Sequence, residues 1–140
     1  GEANTLQASG DVLQFLKRND EALENYNTAI DIFRQVGDRL GEANTLQAIG
    51  SLEDDPTVAL EAYQTAQAVY SQIGDRYSQG RNLYMFIAEA YVALKQPDQA
   101  IKSLQEAANI GEEINFELLQ EYALDKIQSI QNQNKSDSNK

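Results

Sequence analysis

The side chains in this sequence best suited to binding are polar residues, mostly carboxamides, spaced three and four residues apart. Asn4, Gln7 and Asp11 follow one another at these spacings, and Phe15 comes four residues later. In an α-helix such residues lie on one face, and a carboxamide both donates and accepts hydrogen bonds. The row is therefore suited to hold the backbone of an extended peptide, although a merely solvated helix face has the same composition.

Two side-chain types that often carry catalysis or bind metals are missing from the sequence. It contains no His and no Cys, which excludes the commonest general base, thiol chemistry, disulfides and thiolate metal sites. The acidic run Glu53-Asp54-Asp55 lacks the spacing and the glycine of a calcium loop, and we interpret it as a helix cap. No glycine-rich phosphate loop is present. We therefore predict no enzyme activity, no cofactor and no metal site.

The charge of the chain bears on its partners. Its 140 residues include 22 acidic and 11 basic side chains, a formal net charge of −11. This charge repels phosphate backbones and anionic lipids, so we expect neither nucleic acid nor membrane as a partner. A basic or neutral protein is compatible with it, and so is a role in solubility alone. Without an apolar span or a recognisable leader, the sequence predicts a cytoplasmic protein.

An internal repeat organises the sequence. Residues 1–8 recur unchanged as residues 41–48, a period of 40 residues. Residues 35–39 return as 72–76 with one conservative change, after 37 residues, and a third unit begins near Ser78. A self-similarity of this length is the signature of a repeat architecture.

Each unit is predicted to contain two helices, because apolar and small residues recur at three- and four-residue spacings. In the first unit these helices run from Ala3 to Leu16 and from Ala22 to Val36. The shorter sequence between Gly50 and Pro56 predicts that the first helix of the second unit ends early. A last helix is expected over 116–130, and the wholly polar residues 131–140 are expected to be disordered.

Residues suited to helix ends separate these helices. Asp20, Asp55-Pro56 and Gln96-Pro97 are suited to helix starts. Gly37, Gly74 and Asn115 follow the apolar patterns, where a left-handed residue commonly ends a helix. Small residues recur where neighbouring helices must approach closely; they include Gly10, Gly50 and Ala88 in the first helices.

The order of large and small residues resembles the tetratricopeptide repeat family over about residues 1–115. The pattern comprises Leu6, Gly10 and Leu13 in the first helix and Ala22, Tyr26 and Ala29 in the second. The longer second helix ending in Gly-Asp-Arg is similar to the repeats of about 40 residues in kinesin light chains, Pins-type proteins and bacterial signalling proteins. The resemblance implies an all-α, right-handed superhelical solenoid with three helix-turn-helix repeats, over about 1–38, 39–75 and 76–115. A C-terminal capping helix would complete a domain over 1–130.

The resemblance also implies that the first helices line a concave groove that binds other proteins. The predicted groove residues are Asn4, Gln7, Asp11, Phe15, Asn44, Gln47, Asn82, Met85 and Glu89. Those of the third unit assume one residue inserted before its first helix, since a shift by one would bring Arg81 into the groove. We expect the three Asn side chains to face solvent. No cation lies among these positions, so the clamp by which some family members hold a C-terminal carboxylate is not expected.

These observations favour a protein-interaction scaffold. Its concave groove would bind a peptide or helix of a partner, and the chain would form part of a larger signalling or scaffolding protein. The alternative is a structural spacer or self-association module, in which the uncapped N-terminal repeat stacks on another copy to form a homo-oligomer.

Overall fold

The structure is a computed structural model that describes residues 1–15 and 17–139, and its regular elements are helices. They are α1 (Glu2–Phe15), α2 (Asn19–Val36), α3 (Arg39–Leu52), α4 (Pro56–Ile73), α5 (Arg76–Asn82), α6 (Ala88–Ala93), α7 (Pro97–Glu113) and α8 (Glu117–Ser138). A five-residue π-helical segment, Leu83–Ile87, joins α5 to α6. The prediction of an all-α chain of helix-turn-helix repeats is confirmed. None of the described helices combines the length and apolarity needed to span a membrane.

The helices form two compact units, residues 1–73 and residues 74–140. In the first unit α1 packs on α2, α2 on α3 and α3 on α4. In the second unit α7 packs against α5, the π-helical segment, α6 and α8. Within each unit the helices thus bury their apolar faces against one another, as stacked helical repeats do.

Aromatic rings packed against glycines form the close contacts between helices of the first unit. A Cβ atom at Gly10 would lie 2.6 Å from the Tyr26 ring, and one at Gly41 would lie 2.5 Å from the Phe33 ring. Both rings are buried. Because the glycines leave room for them, the helices approach closely and the rings are removed from water, which is the main favourable contribution to folding. The predicted role of Gly10 at a close approach is confirmed.

The left-handed helix ends lie where the sequence predicts them. Gly37, Gly74 and Asn115 have φ angles of 75°, 73° and 58°. At the first of these ends the Asp38 N–H donates to the Phe33 carbonyl over 2.9 Å, the backbone bond that closes a Schellman motif.

The helix starts agree with the prediction in part. Asp55 Oδ1 accepts a hydrogen bond from the Thr57 N–H at 2.9 Å, and Pro56 is the first helical residue. The interpretation of Asp20 as a cap is wrong: α2 begins at Asn19, so Asp20 lies inside the first turn. There its charge still favours the positive end of the helix dipole.

Two helix caps were not predicted. Asp38 Oδ1 accepts from the Gly41 N–H at 2.8 Å, and Asp75 Oδ1 accepts from the Ser78 N–H at 3.0 Å. These two aspartates fix the starting points of α3 and α5.

The lengths of two helices also bear on the predictions. Helix α3 ends at Leu52, whereas α1 continues to Phe15, the equivalent of residue 55, so the early end of α3 is confirmed. The last helix was predicted to end near residue 130 and residues 131–140 to be disordered, but α8 continues to Ser138. Lys140 lies outside the described residues. The added residues include no Gly or Pro, and Gln133 donates to Asp137 one turn later at 3.2 Å, which supports the extra turns.

Candidate functional site

The polar face of α1 contains the first four predicted groove residues. Asn4 and Asp11 are exposed and Gln7 is half-buried, while the Phe15 side chain is 86% exposed. Asp11 Oδ1 accepts a hydrogen bond of 2.5 Å from the Tyr26 hydroxyl. Helix α1 therefore presents an amide-rich row whose one carboxylate is held in place from the second helix.

The Tyr26 hydroxyl keeps the proton that it donates to Asp11. Burial is the largest cause that raises its pKa, and the hydrogen bond to Asp11 and the negative charge of Asp11 raise it further. The phenol consequently stays protonated well above its ordinary pKa of 10.0. Because this hydrogen bond involves Oδ1 only, the second carboxylate oxygen can accept a hydrogen bond from a partner.

The polar face of α3 contains Asn44 and Gln47. Asn44 is half-buried, and its Oδ1 accepts a hydrogen bond of 2.6 Å from the fully buried Tyr70 hydroxyl. Since the carboxamide oxygen is occupied, the Nδ2 group of Asn44 remains as a donor without a partner among the described residues. Gln47 is more enclosed, with only 7% of its surface exposed.

The helix caps define the register of the third unit. Asn44 lies six residues after its N-cap Asp38, and the residue six after the N-cap Asp75 is Arg81. Asn82 instead matches Thr45, and both are fully buried. The expectation that Asn82 faces solvent, like Asn4 and Asn44, is therefore wrong.

The physical reason lies in where the inserted residue is accommodated. It was expected before the helix, but Gly50 lies 12 residues after the Asp38 cap and its counterpart Ala88 lies 13 after the Asp75 cap. The surplus is absorbed in the π-helical segment, since a π-bulge accommodates one extra residue within a helix. Residues before the segment therefore align with those of α3 when both are counted from their N-caps. Residues after the segment are shifted by one and align with α3 as predicted.

Glu89 follows the π-helical segment and matches Ser51, as in the predicted register, whereas Met85 lies within the segment. Both residues line a cavity in the second unit. This cavity has a volume of about 410 Å³, and its lining residues are Tyr84, Met85, Glu89, Tyr122 and Lys126. Glu89 and Lys126 form an ion pair of 2.8 Å. A second cavity of about 460 Å³ lies at the other end of α8, where its lining includes Val92, Pro97 and Ile130.

Arg81 therefore lies at the position that matches Asn44, where the sequence prediction placed Asn82 and expected no positive charge. Its Nε is buried and has no hydrogen-bond partner among the residues that the structure describes. Tyr70, Tyr84 and Tyr122 were also not predicted to belong to the binding site. The position of Arg81 could have been predicted from the two Gly-Asp-Arg motifs. If their aspartates are aligned as N-caps, Arg81 matches Asn44 without any assumption about where the inserted residue lies.

Comparisons with known proteins agree with this architecture. Two models of the tetratricopeptide repeat family match the sequence, one over residues 1–55 and the other over residues 82–110. Together the matches cover 84 of the 140 residues and include both α1 and α3. No curated protein matches the chain.

Proposed function

We propose that this chain, which belongs to the tetratricopeptide repeat family, binds an extended segment of a protein partner along the polar faces of α1 and α3. Repeats of this family generally mediate protein–protein interactions and are typically non-enzymatic. The observation that carries the proposal is the hydrogen bond between Tyr70 and Asn44. It fixes the carboxamide before a partner arrives, which lowers the entropy lost on binding.

The proposed contacts use the hydrogen-bonding groups that the first unit leaves available. The Asn44 Nδ2 group would donate to a backbone carbonyl of the partner, and the second oxygen of Asp11 would accept from a backbone N–H or a basic side chain. Asn4 and Gln7 would add contacts of the same kind. Such contacts read the backbone, so they suit an extended segment with few demands on its sequence.

Selection from a random-peptide display library on the immobilised chain tests this proposal. We expect peptides to be enriched and to bind Asn44→Ala about fivefold more weakly, the loss of about one neutral hydrogen bond. Tyr70→Phe should weaken the same peptides less, because the amide remains but is no longer oriented. Asn27→Ala is the matched control, since Asn27 is an exposed Asn on α2.

Two results would refute the proposal. One is a selection that enriches no peptide above the level found with the blank support. The other is equal binding of the enriched peptides by Asn44→Ala and Asn27→Ala, which would place the binding surface elsewhere.

Self-association is a second candidate function, favoured by the apolar side chains that α1 exposes. Val12 is 58% exposed and Phe15 is 86% exposed. Sedimentation velocity over a wide range of concentrations distinguishes the two functions. A dimer that grows with concentration and disappears in Phe15→Ser supports self-association, and a chain that stays monomeric throughout rules it out.

A further inference from the structure

We propose that the π-helical segment Leu83–Ile87 forms a pocket that binds one large apolar side chain of the partner, next to an acidic residue that pairs with Arg81. This inference rests on the proposed protein-binding function and adds the chemistry of the bound segment. It concerns the second unit alone, whereas the proposed function was argued from the first.

The segment changes which side chains reach the surface. An extra residue in a continuous α-helix would rotate everything after it by about 100° and would move Ala88, which is fully buried, out of the core. The π-helical turn absorbs the surplus and keeps Ala88 in place. As a consequence Tyr84 is half-buried and Met85 is 45% exposed, where α3 has Gln47 and Ala48.

The cavity beside the segment suits an uncharged apolar side chain. Tyr84 and Met85 form one wall and Tyr122 of α8 belongs to the other. Aromatic rings and a flexible thioether adapt well to apolar groups. The charges of Glu89 and Lys126 neutralise each other across 2.8 Å. The volume of about 410 Å³ is at the small end of ligand pockets, which fits a single anchoring side chain.

Arg81 supplies the charge preference next to this pocket. It lies one helical turn before Tyr84, at the position that Asn44 occupies in α3 and Tyr122 occupies in α8, six residues after the N-cap in each case. Its Nε is buried without an acceptor among the described residues, which is costly for a charged group. The side chain as a whole is only half-buried, so a carboxylate on the partner would contact the exposed part of the guanidinium and offset this cost through a charge-assisted hydrogen bond.

The test uses Met85, the single Met of the sequence, as its reporter. With the chain labelled at the Met methyl carbon, one NMR signal reports directly on the pocket. The probe is N-acetyl-Phe-Asp-amide, and its controls are the Ser-Asp and Phe-Asn analogues. We expect a saturable shift of the Met85 methyl signal with Phe-Asp, about tenfold weaker binding of Phe-Asn, and no saturable shift with Ser-Asp.

Variants separate the pocket from the charge. Arg81→Gln should reduce the affinity for Phe-Asp to that for Phe-Asn, whereas the control Lys102→Gln, an exposed site on α7, should not. Deletion of Tyr84 restores the spacing found in α3 and should abolish the shift. Tyr122→Ser removes the opposite wall from α8 without altering the π-helical segment, so it gives the same test if the deletion variant does not fold.

Equal shifts with Phe-Asp and Ser-Asp, or no saturable shift with any probe, would overturn the inference. So would Phe-Asp binding that survives both Tyr122→Ser and Arg81→Gln. None of these three outcomes affects the peptide selection on Asn44 variants, so failure of the pocket and failure of the proposed function are distinguishable.

Discussion

Two buried tyrosines hold polar side chains of the first helices in place. Tyr26 donates to Asp11 on α1, and Tyr70 donates to Asn44 on α3. Sequence spacing predicts that Asp11 and Asn44 lie on the same helix faces as the Asn and Gln side chains, since that depends only on helical periodicity. It cannot predict the two hydrogen bonds, because they join residues that are 15 and 26 positions apart and depend on how the helices pack.

The raised pKa of Tyr26 predicts a loss of stability in alkali. Its folded-state pKa exceeds the unfolded value of about 10, so the stabilisation is complete below pH 10 and is lost as pH rises toward the folded-state pKa. Above pH 10 the free energy of unfolding should fall with pH less steeply in Tyr26→Phe than in the parent, by about 1.4 kcal/mol per pH unit.

Urea unfolding at several pH values measures this difference. Tyr63, whose pKa burial also raises, remains in the variant and should leave a residual slope. Parallel curves for Tyr26→Phe and the parent above pH 10 would show that the Tyr26 hydroxyl is not held in its neutral form by folding.

At the scale of the elements, sequence periodicity locates the helices but not every boundary. The left-handed ends at Gly37, Gly74 and Asn115 were predictable because few residues adopt that conformation readily. The π-helical segment was not, since a surplus residue can be absorbed before, within or after a helix with the same composition. The polar turns of α8 beyond residue 130 were missed because apolar periodicity, the main signal used, ends at Ile130.

The glycines have two different structural roles, and substitution by Ala should separate them. At Gly37 a Cβ would meet nothing within 4 Å, but φ is 75°, so Gly37→Ala should cost about 1 kcal/mol of backbone strain. At Gly50 the Cβ would lie 2.5 Å from the Tyr63 ring and 3.2 Å from the Ala59 carbonyl oxygen. Gly50→Ala should therefore cost more, about 2–3 kcal/mol.

Denaturant unfolding of both variants checks this order. Gly74→Ala is the control for Gly37→Ala, because it has a φ of 73° and the same open surroundings. The interpretation of Gly50 as the site of a close helix contact would be contradicted if Gly50→Ala were as stable as the parent.

For the whole molecule, the exact octapeptide repeat and the composition are enough to predict an all-α repeat protein. The two units differ in their balance of acidic and basic side chains. Residues 1–73 contain 12 acidic and 4 basic side chains, whereas residues 74–140 contain 10 and 7. The first unit is thus strongly acidic, which favours basic segments at its polar face. In the second unit the Nε atom of Arg81 has no hydrogen-bond partner among the described residues, and the pocket proposed beside it would instead favour an acidic residue.

Chemical-shift mapping with a peptide from the display selection tests the binding claim most directly. The chain would be labelled with ¹⁵N, and its backbone and side-chain amide signals followed as the peptide is added. We predict that the largest shifts occur on α1 and α3 and include the Nδ2 group of Asn44. Shifts concentrated on the exposed faces of α2 and α4, with the Asn44 amide unchanged, would contradict the account.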